Sequence, residues 1–134
     1  MQTTREMIQS HPLQSMFDTE KLATVIGELN ICAQACTACA DACLGEKEVA
    51  SLAACIRTNL DCADICTATG AVLSRMTKPS KSLMQSIVQA CVTACNHCAS
   101  ECERHAEMHA HCRICAESCR RCEKECQDIL AAIR

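Results

Sequence analysis

Sixteen cysteines stepped by three and four residues set the tightest limit on how this 134-residue chain can fold. Two runs share the pattern C-x3-C-x2-C-x3-C: Cys32, Cys36, Cys39 and Cys43, then Cys91, Cys95, Cys98 and Cys102. Cys112, Cys115, Cys119, Cys122 and Cys126 extend the same stepping. Cys55, Cys62 and Cys66 form a shorter copy, with Asn59 where the pattern asks for a thiol. Alternating steps of three and four keep residues on one face of an α-helix, the face that a bundle buries. The cysteines are therefore predicted to line the interior of four helices.

Breakers are scarce, with three Gly and two Pro in the chain, which favours long helices. A short helix over Thr3–Ser10 is predicted to end at His11, because Pro12 disfavours helical geometry in the residue before it. The first long helix is expected to start at Asp18 or Thr19, either able to cap it, and to run to Leu44 with Gly45 as its stop. The second is expected over Glu46–Met76, ended by the Lys78-Pro79-Ser80 turn, the third over Ser82–His105 and the fourth over His109–Ile133. Short connections make consecutive helices antiparallel neighbours. The predicted fold is all-α: an antiparallel four-helix bundle with a short N-terminal helix, one domain over residues 1–134 in which 1–17 are helix and linker.

The same stripes carry aliphatic residues beyond the cysteines. Leu22, Val25 and Leu29 continue the first long helix backward and Met84 and Val88 the third. Leu73 and Met76 extend the second forward, and Ile129 and Ile133 the fourth. All fall at one end of an up-down-up-down bundle. The expected interior is a tube of thiols reaching the other end, closed behind by an aliphatic plug. Cys112 to Cys126 alone would span about 21 Å at ~1.5 Å per residue.

One aromatic residue, Phe17, with no Trp or Tyr, leaves the thiols much of the core to fill. Inert packing suits one or two cysteines per helix but not sixteen on one stripe. The first ten residues show no apolar signal region, and no apolar run is expected to approach membrane-spanning length. A cytosolic chain is the expectation, and there reduced thiols more often bind metal than form a disulfide framework. Neighbours on a helix face lie about 5–6 Å apart at Cβ, longer than the ~3.8 Å that a disulfide prefers. Net charge is −3, with basic residues spread among acids, so neither nucleic acid nor membrane is an expected partner.

Charge discriminates between metals. A four-thiolate zinc site carries about two negative charges, and no Lys or Arg lies on the inward stripes to balance a stack of them. Copper(I) prefers soft sulfur and displaces about one proton per ion, so the core stays near neutral however many ions enter. The thiol count points to a capacity of about 16 copper(I) ions. Iron–sulfur ligation fits worse, because no Pro follows any Cys. Asn59 reads first as a buried amide with hydrogen-bond partners, and second as a ligand. At the predicted mouth, His105, Met108, His109 and His111 are candidate ligands that could pass ions inward, although histidines at helix ends also cap or stay solvated. His97, off the stripe, and His11, in the linker, are expected on the surface. No nucleophile with its base, and no Gly-rich phosphate loop, suggests an enzyme.

These cysteine blocks, together with the turn His105-Ala-Glu-Met108-His109-Ala-His111-Cys112, resemble the bacterial copper storage proteins, cysteine-rich four-helix bundles. The resemblance spans nearly the whole chain and is nearest the cytosolic branch, since the exported branch carries a twin-arginine signal and Arg120-Arg121 lies inside the fourth helix. It implies reversible loading of many copper(I) ions on the sixteen core thiolates, entry at the histidine-bearing end, Asn59 as a family feature and a homotetramer. Zinc or heavy-metal sequestration and a thiol redox buffer remain as alternatives.

Overall fold

The computed structural model describes residues 1–133. Among the described residues five α-helices follow one another: α1 (Gln2–Ser10), α2 (Thr19–Leu44), α3 (Ala53–Leu73), α4 (Lys81–Glu103) and α5 (Ala110–Ala132), with a 3₁₀ turn at Val49–Leu52. Helix α2 packs on α3, α3 on α4, α4 on α5 and α5 back on α2, while among the described residues the diagonal pairs keep their backbones apart and meet only through core side chains such as Cys36 and Cys98. The bundle is therefore square and antiparallel, as predicted, and α1 lies against α2.

Local chemistry sets the helix ends. The Asp18 carboxylate accepts the Lys21 amide at 3.1 Å, and the Ser80 hydroxyl accepts that of Leu83 at 3.3 Å, so each occupies one amide that a helix start leaves unpaired. Gly45 does stop α2, but at φ −85° it uses none of the left-handed freedom expected of a stop glycine. The second long helix is shorter than predicted at both ends. Residues 46–48 form a linker whose Glu46 and Glu48 carboxylates are drawn to histidines of the facing turn, and a 3₁₀ turn precedes α3. At the other end the Ser74 hydroxyl donates to the Gly70 carbonyl at 2.7 Å, and Lys78 takes φ 50° ahead of Pro79. The fourth long helix starts one residue later than expected, with His109 as its cap.

The interior follows the predicted stripes. All sixteen cysteines are buried, and Leu22, Val25, Leu29, Val88 and Ile129 are fully enclosed at the plug. The plug is deeper than the sequence implied. Ile8 of α1 and Phe17 of the linker join it from outside, and Met76 is only partly buried. Gly27 leaves room for the Met1 side chain, since a Cβ there would stand 2.8 Å from the Met1 sulfur. His11, expected on the surface, is half-buried: Nδ1 accepts the Leu13 amide at 2.9 Å and Nε2 lies 3.4 Å from the Thr77 hydroxyl, pinning the linker to the end of α3.

Helix α2 corrects the hydropathy expectation. It is long and apolar enough to cross a membrane by length and composition, because its cysteines and alanines count as apolar. In the bundle half of that apolar stretch is buried against the other helices, so the same residues are already used by the core.

Candidate metal centre

The four stripes bring the thiols into one continuous network. Cys126 donates to Cys91 at 3.8 Å, Cys91 lies 3.8 Å from Cys66, and Cys66 lies 3.8 Å from both Cys62 and Cys95. Across the bundle Cys32 and Cys36 approach Cys119 at 3.8 and 3.6 Å, and Cys36 meets Cys98 and Cys115 at 3.8 and 3.7 Å. Nearer the mouth Cys55 and Cys102 are 3.5 Å apart, and Cys39 and Cys112 4.0 Å. None of these pairs is bonded, and each cysteine is a free thiol.

Several groups could each surround one ion, their ligand atoms all within 4.8 Å of one another. Cys32, Cys66, Cys95 and Cys122 form one; Cys32, Cys36, Cys62 and Cys119 a second; Cys36, Cys98, Cys115 and Cys119 a third. Toward the mouth Cys39, Cys43, His111 and Cys112 form another, and Cys39, Cys55 and Cys102 a three-thiol group. Sharing is the important feature, since Cys32, Cys36, Cys39 and Cys119 each belong to two of these groups. A column of overlapping sites suits ions that accept bridging thiolates.

The electrostatics are those of a neutral tube. Among the described residues the only buried polar side chains are Asn59, Thr69 and Ser118, and no buried cation is present. Burial pushes the Cys43 thiol up to about 11 and raises Cys112 as well, because a dry site disfavours thiolate. Cys39 moves the other way, drawn down first by the S–H of Cys102, then by Cys115 and Cys55. The thiols thus solvate one another, with isolated negative charge disfavoured.

Asn59 occupies the break in the α3 series, wholly buried. Its Oδ1 accepts from Cys98 at 3.0 Å, Cys115 at 3.3 Å and Cys102 at 3.4 Å, and its Nδ2 approaches the Cys55 sulfur at 3.8 Å. The hydrogen-bonded amide expected from the sequence is the arrangement found, at a level where thiols of three helices converge.

The mouth residues divide. His111 joins the thiols, with Nδ1 3.4 Å from Cys39 Sγ and 3.6 Å from Cys112 Sγ. Burial opposes a charge on its ring, but contacts with Cys39 and Glu46 prevail and its pKa is raised from 6.5. His109 stacks on His111, centroids 5.3 Å apart, with Glu46 at Nδ1 (3.1 Å) and Glu48 at Nε2 (2.9 Å). His105 lies 3.6 Å from Glu101. Met108 is not brought to the group: 71% exposed, it stands in solvent on the α4–α5 turn. His97 is exposed, as predicted. Sequence reasoning missed the acidic partners: Glu46 and Glu48, which lie outside every cysteine run, and Glu101, which sits off the stripe between Cys98 and Cys102. The one available signal was the Glu-Lys-Glu linker directly after the first long helix.

A square helical bundle with a continuous, uncharged thiol column defines a class of proteins that accumulate soft metal ions. Over residues 18–131 the sequence matches the family model described as copper storage protein, and the chain belongs to that family. Among solved structures, the copper storage protein Ccsp of Streptomyces lividans, loaded with 10 copper equivalents, is 52% identical at a TM-score of 0.93, over 96% of this chain and 98% of that one. A cytosolic copper storage protein from the same organism, with five coppers, is 59% identical at a TM-score of 0.83, over 84% and 93%. A single histidine-to-alanine variant of Streptomyces lividans Ccsp is 56% identical at 0.86, over 87% and 98%. Among curated proteins none matches the chain.

Proposed function

We propose that this protein stores and buffers copper(I) on the thiolates of its bundle core and catalyses no reaction. The observation that carries the reading is the column itself: sixteen buried, unpaired thiols, with sulfurs of neighbouring helices 3.5–4.0 Å apart and no buried cation among the described residues to balance anionic sites. Copper(I) replacing one proton at a time leaves such a core neutral, whereas stacked four-thiolate zinc sites would accumulate charge there. The proposed ligands are Cys32, Cys36, Cys39, Cys43, Cys55, Cys62, Cys66, Cys91, Cys95, Cys98, Cys102, Cys112, Cys115, Cys119, Cys122 and Cys126. His111 joins them at the mouth, and Asn59 can offer its oxygen within. His105 and His109 stand beside the entrance, held by carboxylates.

The whole chain acts as one domain, with α1 and the linker sealing the plug. We place it in the cytosol, where its thiols stay reduced. A homotetramer fits the large apolar side chains left on the outer faces, Ile31, Leu60, Leu83 and Ile114, each 46–53% exposed.

The test is an anaerobic titration of the reduced protein with copper(I) against a competing chelator, alongside a zinc titration. The expected result is about 16 copper ions per chain, one per thiol, retained in excess zinc. A few tight zinc ions with little copper beyond them would overturn the reading.

A further inference from the structure

Glu46 is no soft-metal ligand, yet it sits where the metal path begins. It lies in the short linker after α2, its amide donating to the Cys43 carbonyl at 3.2 Å. Its Oε2 is 2.9 Å from His111 Nε2 and 3.1 Å from His109 Nδ1. An ionised carboxylate can only accept, so His111 donates through Nε2. The opposite edge of the ring then points inward, with Nδ1 3.4 Å from Cys39 Sγ and 3.6 Å from Cys112 Sγ. Glu46 is held in turn by His109, which also grips Glu48 at 2.9 Å and stacks on His111.

We propose that Glu46 is the positioning residue of the mouth: by accepting the Nε2–H of His111 it fixes the tautomer whose Nδ1 lone pair receives an incoming soft cation beside Cys39 and Cys112. The inference rests on the storage reading. It accounts for a feature the helical pattern did not predict, the departure of residues 46–48 from helix, which puts Glu46 between the two histidines. Carboxylates behind metal-binding histidines typically alter affinity or rate about 10–100-fold when removed.

The experiment uses the full reduced chain as wild type, E46A and E46Q, with two readouts. In copper-free protein at alkaline pH, two-bond proton–nitrogen correlation spectra report which His111 nitrogen carries the proton. Stopped-flow mixing with a chromogenic copper(I) chelate reports the rate of uptake. Wild type is expected to show the Nε2–H form alone. E46A should show mixed tautomers and take up copper about tenfold more slowly. In E46Q the amide oxygen still accepts the Nε2–H, so the tautomer and most of the rate should return. An unchanged tautomer in E46A, an unchanged rate despite mixed tautomers, or E46Q as slow as E46A would overturn the proposal. A wild-type chain that binds no copper would instead sink the storage reading and be seen as such, because the tautomers are read without metal.

Discussion

Replacing Cys119 by serine asks whether the thiols act as shared or as separate ligands. Cys119 Sγ lies 3.8 Å from Cys32 and 3.6 Å from Cys36, and it belongs to two four-thiol groups. If each thiol held one ion independently, the variant would lose about one of about 16 ions. If the thiolates bridge, both groups lose a member and about two ions are lost. The stability cost can be set beside this. A hydroxyl would replace a thiol at 0% exposure, costing about 1–3 kcal/mol without a strong acceptor, less where it bonds the Cys115 carbonyl one turn back. At about 2.1 cal/mol/K of unfolding entropy per residue, 134 residues give about 0.28 kcal/mol/K, so Tm should fall by about 4–11 °C. Anaerobic copper titration and calorimetry of the copper-free protein measure the two effects separately. Unchanged capacity would refute the shared column, and a loss of one ion would refute the bridging.

Leu29→Ala, in the wholly buried plug, should cost about 3–5 kcal/mol through the cavity it leaves while copper capacity stays unchanged; calorimetry with a parallel titration checks both. Arg120→Ala removes the paired contacts with Glu103 at 2.9 and 2.8 Å that join α5 to α4. The Glu103 carboxyl is held below its ordinary 4.5, first by its hydrogen bond to Arg120. A depressed carboxyl contributes stability above its unfolded pKa and loses it as pH falls through the folded one, so the variant should show a shallower loss of stability below about pH 4.5. Acid unfolding followed by circular dichroism decides it.

The sequence made the helices and the column legible because one periodicity encodes both. Every cysteine on the three-four stripe is buried, and Leu22, Val25, Leu29, Val88 and Ile129 close the end where the register placed them. Periodicity carries no signal for contacts between a loop and a distant turn, which is why Glu46 and Glu48 went unseen. It also placed Met108 at the mouth, because backward stepping from Cys112 assumes a helix. The backbone there is a turn until Ala110, and the thioether points to solvent. His11 failed for the same reason, since Thr77 reaches it across 66 residues of sequence.

Asn59 shows what a neutral column demands. A fourth thiol at that level would face Cys98, Cys102 and Cys115 as one more donor of the same kind, and each of these donates to the amide oxygen at 3.0–3.4 Å instead. A carboxylate would accept as well, but it would put a fixed charge into a tube with no buried cation among the described residues, at a cost that pairing could not offset. The amide is the uncharged acceptor that orders three thiols from α4 and α5 while leaving their protons exchangeable for metal. Asn59→Asp should therefore destabilise the copper-free bundle more than Asn59→Ala does. If calorimetry found the aspartate variant the more stable of the two, charge neutrality would not be the principle that organises this core.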